Sequence, residues 1–139
     1  MSKSKSFSSN IEINAPTSEV WEVITDPQYA KVLGNEFDEG AYVRSDWKLG
    51  SKVDFLYESA PDKPANSGKI TELIERELIH VHYRFYLFWK YSETYLLTGE
   101  IGTTNLQIDA GPYGADLDDQ KVAWANWLRK VKEISEPDT

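Results

Sequence analysis

A helical stripe near the C-terminal end most constrains what this chain can fold into. Leu117, Trp124, Trp127, Leu128, Val131 and Ile134 recur at helical spacing. At 1.5 Å per residue the stripe needs an apolar partner surface about 28 Å long. Asp116, Asp118 and Asp119 crowd its expected N-terminal end, where they are read as capping residues, and Arg129, Lys130 and Lys132 occupy its later half. That polarity suits a helix dipole. The partner surface comes from segments that alternate with period two. Phe7 to Ile13, Tyr42 to Ser45, Lys52 to Glu58, Gly68 to Ile74, Leu78 to Phe85, Tyr91 to Glu100 and Thr103 to Asp109 read as strands, with Val53, Phe55 and Tyr57 on one face and Ile79, Val81, Tyr83 and Phe85 on another. Leu56 interrupts the polar alternation, so the outer face of that strand is less polar than a two-layer sheet requires. The connections are too short for parallel crossovers, so the pairing is antiparallel. Six or seven strands at about 4.8 Å spacing make a sheet as wide as the helix is long.

Between the first two strands, Val20, Trp21 and Ile24 mark a short helix that Asp26-Pro27 interrupts, and a second short helix ends at Gly34. Asn14, with Pro16 in the first turn, or Thr17 is the expected cap. Gly111-Pro112-Tyr113-Gly114 is expected to break the sheet ahead of the last helix. The outcome is an α+β fold in which a curved antiparallel sheet of six or seven strands wraps a long C-terminal helix, with an enclosed groove between them.

With 139 residues and 40% hydrophobic content, the chain suits one domain with one core. A formal charge of −8 argues against binding nucleic acid through a broad basic surface. The run Phe85 to Trp89 is far below the roughly 20 residues that cross a bilayer, and no signal-like segment is seen near Met1, so a cytoplasmic protein without a membrane span is expected. Without cysteine there is no disulfide, thiolate nucleophile or cysteine-based metal site. His80 and His82 leave one strand on the face opposite Val81 and Tyr83, without enough further ligands for a metal site. Asp116 to Asp119 lacks the pattern of a calcium loop, no serine sits in a nucleophile elbow, and Gly34, Gly40 and Gly50 build no phosphate cradle. No cofactor, metal or catalytic residue is therefore assigned. What remains is aromatic supply, 13% of the chain. Tyr57, Tyr83, Phe85, Trp124 and Trp127 are candidates to line a pocket as well as to fill a core, and an inward Glu93 would add a polar group. Trp47 and Trp89 lie in segments that look turn-like.

IEINAPTSEVWEVITDPQYAKVL (residues 11–33), SDWKLGSKVDF and WANWLRKVKEI (residues 124–134) occur in an order that resembles the SRPBCC or START-like superfamily, most closely its branch of activators of heat-shock-protein-90 ATPase. The chain departs from that pattern at Val32-Leu33, Gly50-Ser51 and Ala123. The resemblance implies a helix-grip domain over residues 7–135; the small and basic side chains before it read as a flexible leader (1–6), and residues 136–139 as a short tail. It also implies a cavity for a small hydrophobic or aromatic molecule, with Tyr57, Tyr83, Phe85, Glu93, Trp124, Trp127, Leu128 and Val131 as candidate ligand-binding residues. A cyclase or dehydratase using the same cavity, and a co-chaperone-like interaction domain in a stress response, are the alternatives. A homodimer or a chaperone partner stays open.

Overall fold

The computed structural model describes residues 5–85 and 89–137, the side chains of residues 84, 85 and 89 excepted. Seven strands form one antiparallel sheet: β1 (Lys5–Ile13), β2 (Ala41–Ser45), β3 (Lys52–Tyr57), β4 (Asn66–Ile74), β5 (Leu78–Phe85), β6 (Trp89–Glu100) and β7 (Thr103–Tyr113), in the spatial order β1-β7-β6-β5-β4-β3-β2. Strands β1 and β2 are the two edges. The chain crosses from one to the other through α1 (Thr17–Thr25), a single 3₁₀ turn (Pro27–Tyr29) and α2 (Ala30–Gly34). The long helix α3 (Leu117–Ser135) closes the fold. Sheet curvature is helped by two register shifts, one between Lys5 and Phe7 and one between Ile70 and Glu72.

Helix α3 packs against β1, β7 and the α1–α2 pair. Its stripe faces inward as the spacing requires: Trp124 is 2% exposed and Val131 0%. Thr104, Leu106, Ile108 and Ala110 of β7 alternate into the same core, beside Ile79 and Val81 of β5. Each large apolar side chain buried in this way contributes on the order of 1.5–3 kcal/mol. The end of α3 is tied to the sheet edge by polar groups. Lys132 Nζ donates to the Glu12 carbonyl at 3.0 Å and to the Glu136 carboxylate, and Glu136 Oε2 also accepts the Asn14 backbone N–H at 2.8 Å. Thr104 Oγ1 donates to the Ala15 carbonyl at 2.8 Å, fixing the corner between β1 and α1 on β7.

Several boundaries differ from the sequence reading, each for a local reason. Lys5 and Ser6, expected in the leader, belong to β1, because β7 extends far enough to pair Lys5 with Tyr113. That extension runs through Gly111-Pro112, which was expected to end the sheet. Between the pairs Phe7↔Ala110 and Lys5↔Tyr113, those two residues oppose Ser6 alone, forming a bulge where a proline needs no ladder N–H. The Gly111–Pro112 peptide is cis. Neither Asn14 nor Thr17 caps α1: Pro16 holds the N-cap position without a side-chain hydrogen bond. Asp116 likewise makes no capping hydrogen bond to α3, although Asp118 and Asp119 stand in its first turn. Leu56 is completely buried, outside the central cluster, as an outer face of reduced polarity requires. No helix among the described residues is long and apolar enough to cross a membrane.

Gly34 is where α2 meets β2. A methyl group there would lie 2.2 Å from the Ala41 carbonyl oxygen, which is backbone and has little freedom to retreat. Gly34→Ala is therefore expected to destabilise the fold, toward the upper end of the roughly 1–3 kcal/mol typical of overpacking. Chemical denaturation measures this, and an unchanged midpoint would contradict the close approach.

Candidate functional site

Because α3 lies toward the β1–β7 side, the sheet curls away beyond it and leaves a cavity of about 740 Å³. Its helical wall includes Ile24, Leu33, Trp124 and Trp127, joined by Phe37 from the segment after α2. Its sheet wall is made by Tyr42 and Val43 of β2, Phe55 and Tyr57 of β3, Tyr83 of β5, and Tyr91, Glu93 and Tyr95 of β6. Exposed Lys31, Asp38, Arg44 and Asp116 stand at its edge. Trp124 packs edge to face on Phe37 at 4.7 Å and on Trp127 at 5.4 Å between centroids, and Tyr95 lies tilted 5.6 Å from Trp127. Gly68 of β4 makes room for Tyr83, since a Cβ there would come within 2.8 Å of its ring.

Glu93 is the acid deepest in this wall. Period-two geometry puts Tyr91, Glu93 and Tyr95 on the inward face of β6. Across the ladder Glu93 is opposite Val81 on β5 and Ala110 on β7, neither of which has a polar side chain. Its partners therefore come from its own strand: Tyr91 donates its hydroxyl to Oε2 at 2.7 Å and Tyr95 to Oε1 at 2.6 Å. Tyr91 also hydrogen-bonds Tyr113, whose oxygen accepts the Trp124 Nε1–H at 3.0 Å. The direction of this chain follows from what each group can do. An indole N–H only donates, and with Glu93 ionised the single Tyr91 proton goes to it, so Tyr113 is the donor to Tyr91. Every proton along Trp124, Tyr113 and Tyr91 points toward the carboxylate.

Glu93 is half-buried and keeps part of its surface open to the cavity. Burial raises its carboxyl above the usual range, and the hydrogen bonds from Tyr95 and Tyr91 oppose that shift without cancelling it. Burial and then the Glu93 charge also raise Tyr83, Tyr91 and Tyr95 far above the ordinary phenol value, and push Tyr113 up to about 12. These phenols are therefore neutral near pH 7 and act as hydrogen-bonding groups rather than as phenolate bases. The Tyr57 hydroxyl is engaged elsewhere: it donates to Asp38 Oδ2 at 2.7 Å, and this bond raises it above the ordinary value.

Of the residues singled out from sequence, the fold brings Tyr57, Tyr83, Glu93, Trp124 and Trp127 to the cavity wall. Leu128 and Val131 lie in the apolar core and are absent from that wall. Phe85 lies in β5, and its side chain is outside the described residues. The sequence reading missed Tyr91, Tyr95, Tyr113, Trp47 and Phe37. Tyr91 and Tyr95 were within reach of the same reasoning, being two residues either side of Glu93. Tyr113 was hidden by reading Gly111-Pro112 as the end of a strand. Trp47 sits between β2 and β3 with φ of 53°, a conformation that aromatic side chains rarely adopt, and lines the cavity from that turn. His80 and His82 are half-buried, with His80 Nδ1 2.7 Å from Thr94 Oγ1. Among the described residues no group of three or more His, Asp or Glu is placed to hold a metal.

The raised Glu93 value fixes the sign of a pH effect. Between the ordinary carboxyl value of 4.5 and the higher folded value, the native state holds the proton and the unfolded chain does not. The Glu93 contribution to stability is thus complete below that window and is lost as pH rises through it. Other carboxylates titrate nearby, with Asp26 and Glu136 shifted downward, so the measurement is a difference between proteins. Denaturation of wild type and Glu93→Gln from about pH 4 to about pH 8 is expected to show the variant gaining stability relative to wild type as pH rises. Parallel curves would remove the shift.

No family model matches the chain, and no curated protein matches it in sequence. Solved structures do match its fold. Protein CV1439 from Chromobacterium violaceum is 23% identical, with 96% of this chain and 99% of that one covered and a TM-score of 0.74. The Aha1 dimer from Colwellia psychrerythraea is 13% identical, covers 95% of this chain and 96% of its own, and has a TM-score of 0.73. CalU16 from Micromonospora echinospora is 19% identical, with 97% and 78% covered and a TM-score of 0.68. What this chain shares with them is the helix-grip fold: a curved seven-stranded antiparallel sheet around a long terminal helix.

Proposed function

We propose that the protein binds a small, largely apolar or aromatic molecule in the cavity between α3 and the sheet, without transforming it. The observation that carries this reading is the cavity of about 740 Å³ walled by aromatic rings. Small-molecule sites typically occupy roughly 300–1,000 Å³, are mostly apolar, and hold a few placed polar groups. Tyr83, Trp124, Trp127 and Trp47 supply flat apolar surface, and Glu93 with its tyrosines supplies the polar group that orients the molecule. Leu128 and Val131 support α3 from the core side. Tyr57 and Glu93 do not converge on a common point in the hydrogen-bond network: Tyr57 is committed to Asp38, and Glu93 to Tyr91 and Tyr95. That separation favours holding a molecule over acid–base work on one bond.

Native mass spectrometry of gently purified protein is expected to show a retained small molecule, or saturable quenching of tryptophan emission on titration with a library of aromatic and aliphatic compounds. Trp47→Ala is expected to weaken that binding about tenfold while changing stability less than Trp124→Ala, because Trp47 stands in a turn and Trp124 in the core. The absence of both a retained molecule and saturable binding across the library would refute the reading.

A further inference from the structure

We infer that the molecule held in this cavity carries a protonated amine, seated on the Glu93 carboxylate beside the rings of Tyr91 and Tyr95. This rests on the reading that the cavity binds an apolar or aromatic molecule, and adds the charged group by which that molecule is recognised.

Proton ordering carries the inference. Trp124 donates to Tyr113, Tyr113 to Tyr91, and Tyr91 and Tyr95 to the two oxygens of Glu93. With Glu93 ionised, each of these protons is committed within the cluster, so its remaining capacity is lone pairs: those of Glu93 not taken by the tyrosines, and one on Tyr95. A ligand carbonyl or carboxylate arriving here would meet acceptors. A ligand N–H would meet partners, and a charged one would meet an anion in a low-dielectric site, where charge-assisted hydrogen bonds are strong.

The charges around the cavity agree. Its wall holds the acids Asp26, Asp38, Glu93 and Asp116 against the bases Lys31 and Arg44. Both bases are engaged with acids outside the wall, Lys31 with Glu58 at 3.1 Å and Arg44 with Asp54 at 3.8 Å. Among the described residues, no cation is paired with Glu93. A buried carboxylate is costly without a counter-ion, and a ligand ammonium supplies one. Aromatic faces close to the carboxylate add cation–π attraction in a desolvated setting. Such a cation also opposes the burial effect that raises Glu93, whereas a neutral ligand leaves it in place.

Three compounds of one shape separate this inference from the reading beneath it: 2-naphthylmethylamine, 2-naphthylmethanol and 2-naphthoate, titrated into the wild-type protein near neutral pH by calorimetry. The amine is expected to bind at least about tenfold more tightly than the alcohol, and the carboxylate most weakly. Glu93→Gln should bring the amine-to-alcohol ratio close to one. Binding of the alcohol as tightly as the amine would overturn the amine assignment and leave the apolar cavity standing, and failure of the amine to bind would likewise overturn the amine assignment, the cavity reading itself being decided by the library titration. An amine preference that survives in Glu93→Gln would overturn the role given to Glu93. Should that variant not fold, the wild-type comparison decides the matter alone.

Discussion

Trp124 is the side chain on which both the packing and the site depend. It is almost wholly buried, and its ring meets Phe37, Tyr95 and Trp127, so it joins the segment after α2, the centre of the sheet and α3 in one contact. Its indole N–H could not be buried at so little cost without a partner, and the Tyr113 oxygen provides one. That donation joins the core tryptophan to the hydrogen bonds that end on Glu93 through Tyr113 and Tyr91. A residue placed by ordinary core packing is thereby connected to the polar group of the cavity.

Much of the fold was legible because burial on one face leaves a period in the sequence. Val81 and Tyr83 alternate with His80 and His82, and the inward pair is buried while the histidines are half-exposed. Likewise the stripe from Trp124 to Val131 has the spacing of a helix with one covered side. Chain ends and turns were less legible. Gly111-Pro112 reads as a break because proline has no N–H to give a ladder, yet a bulge requires no such donor, and only the pairing of Lys5 with Tyr113 reveals that the strand continues. The caps expected at Asn14 and Asp116 are not made: Pro16 holds the N-cap of α1, Asp116 makes no capping hydrogen bond, and the Asn14 backbone N–H is held by Glu136 from the far end of the chain.

The site was legible in its residue types and less so in its connections. Tyr57 and Glu93 both reach the cavity, but nothing in their spacing shows that one hydroxyl is held at the exposed edge by Asp38 while the other group sits among three tyrosines. Leu128 and Val131 belong to the same stripe as Trp124 and Trp127. Helical rotation separates them: the tryptophans reach the open space, and the two aliphatic residues seal α3 against the core. Period alone identifies the covered side of a helix, not which part of that side borders empty volume.

Gly68 has a consequence for the shape of the interior. The Tyr83 ring rests where a side chain on β4 would otherwise stand. The bare backbone at that position acts as a recess that keeps an aromatic plate drawn back from the chamber. Enlarging residue 68 would press the plate inward and narrow the room for a guest, although the altered atom is not itself among those facing it. The dimensions of the chamber are thus partly set from behind its wall, at a residue with no side chain.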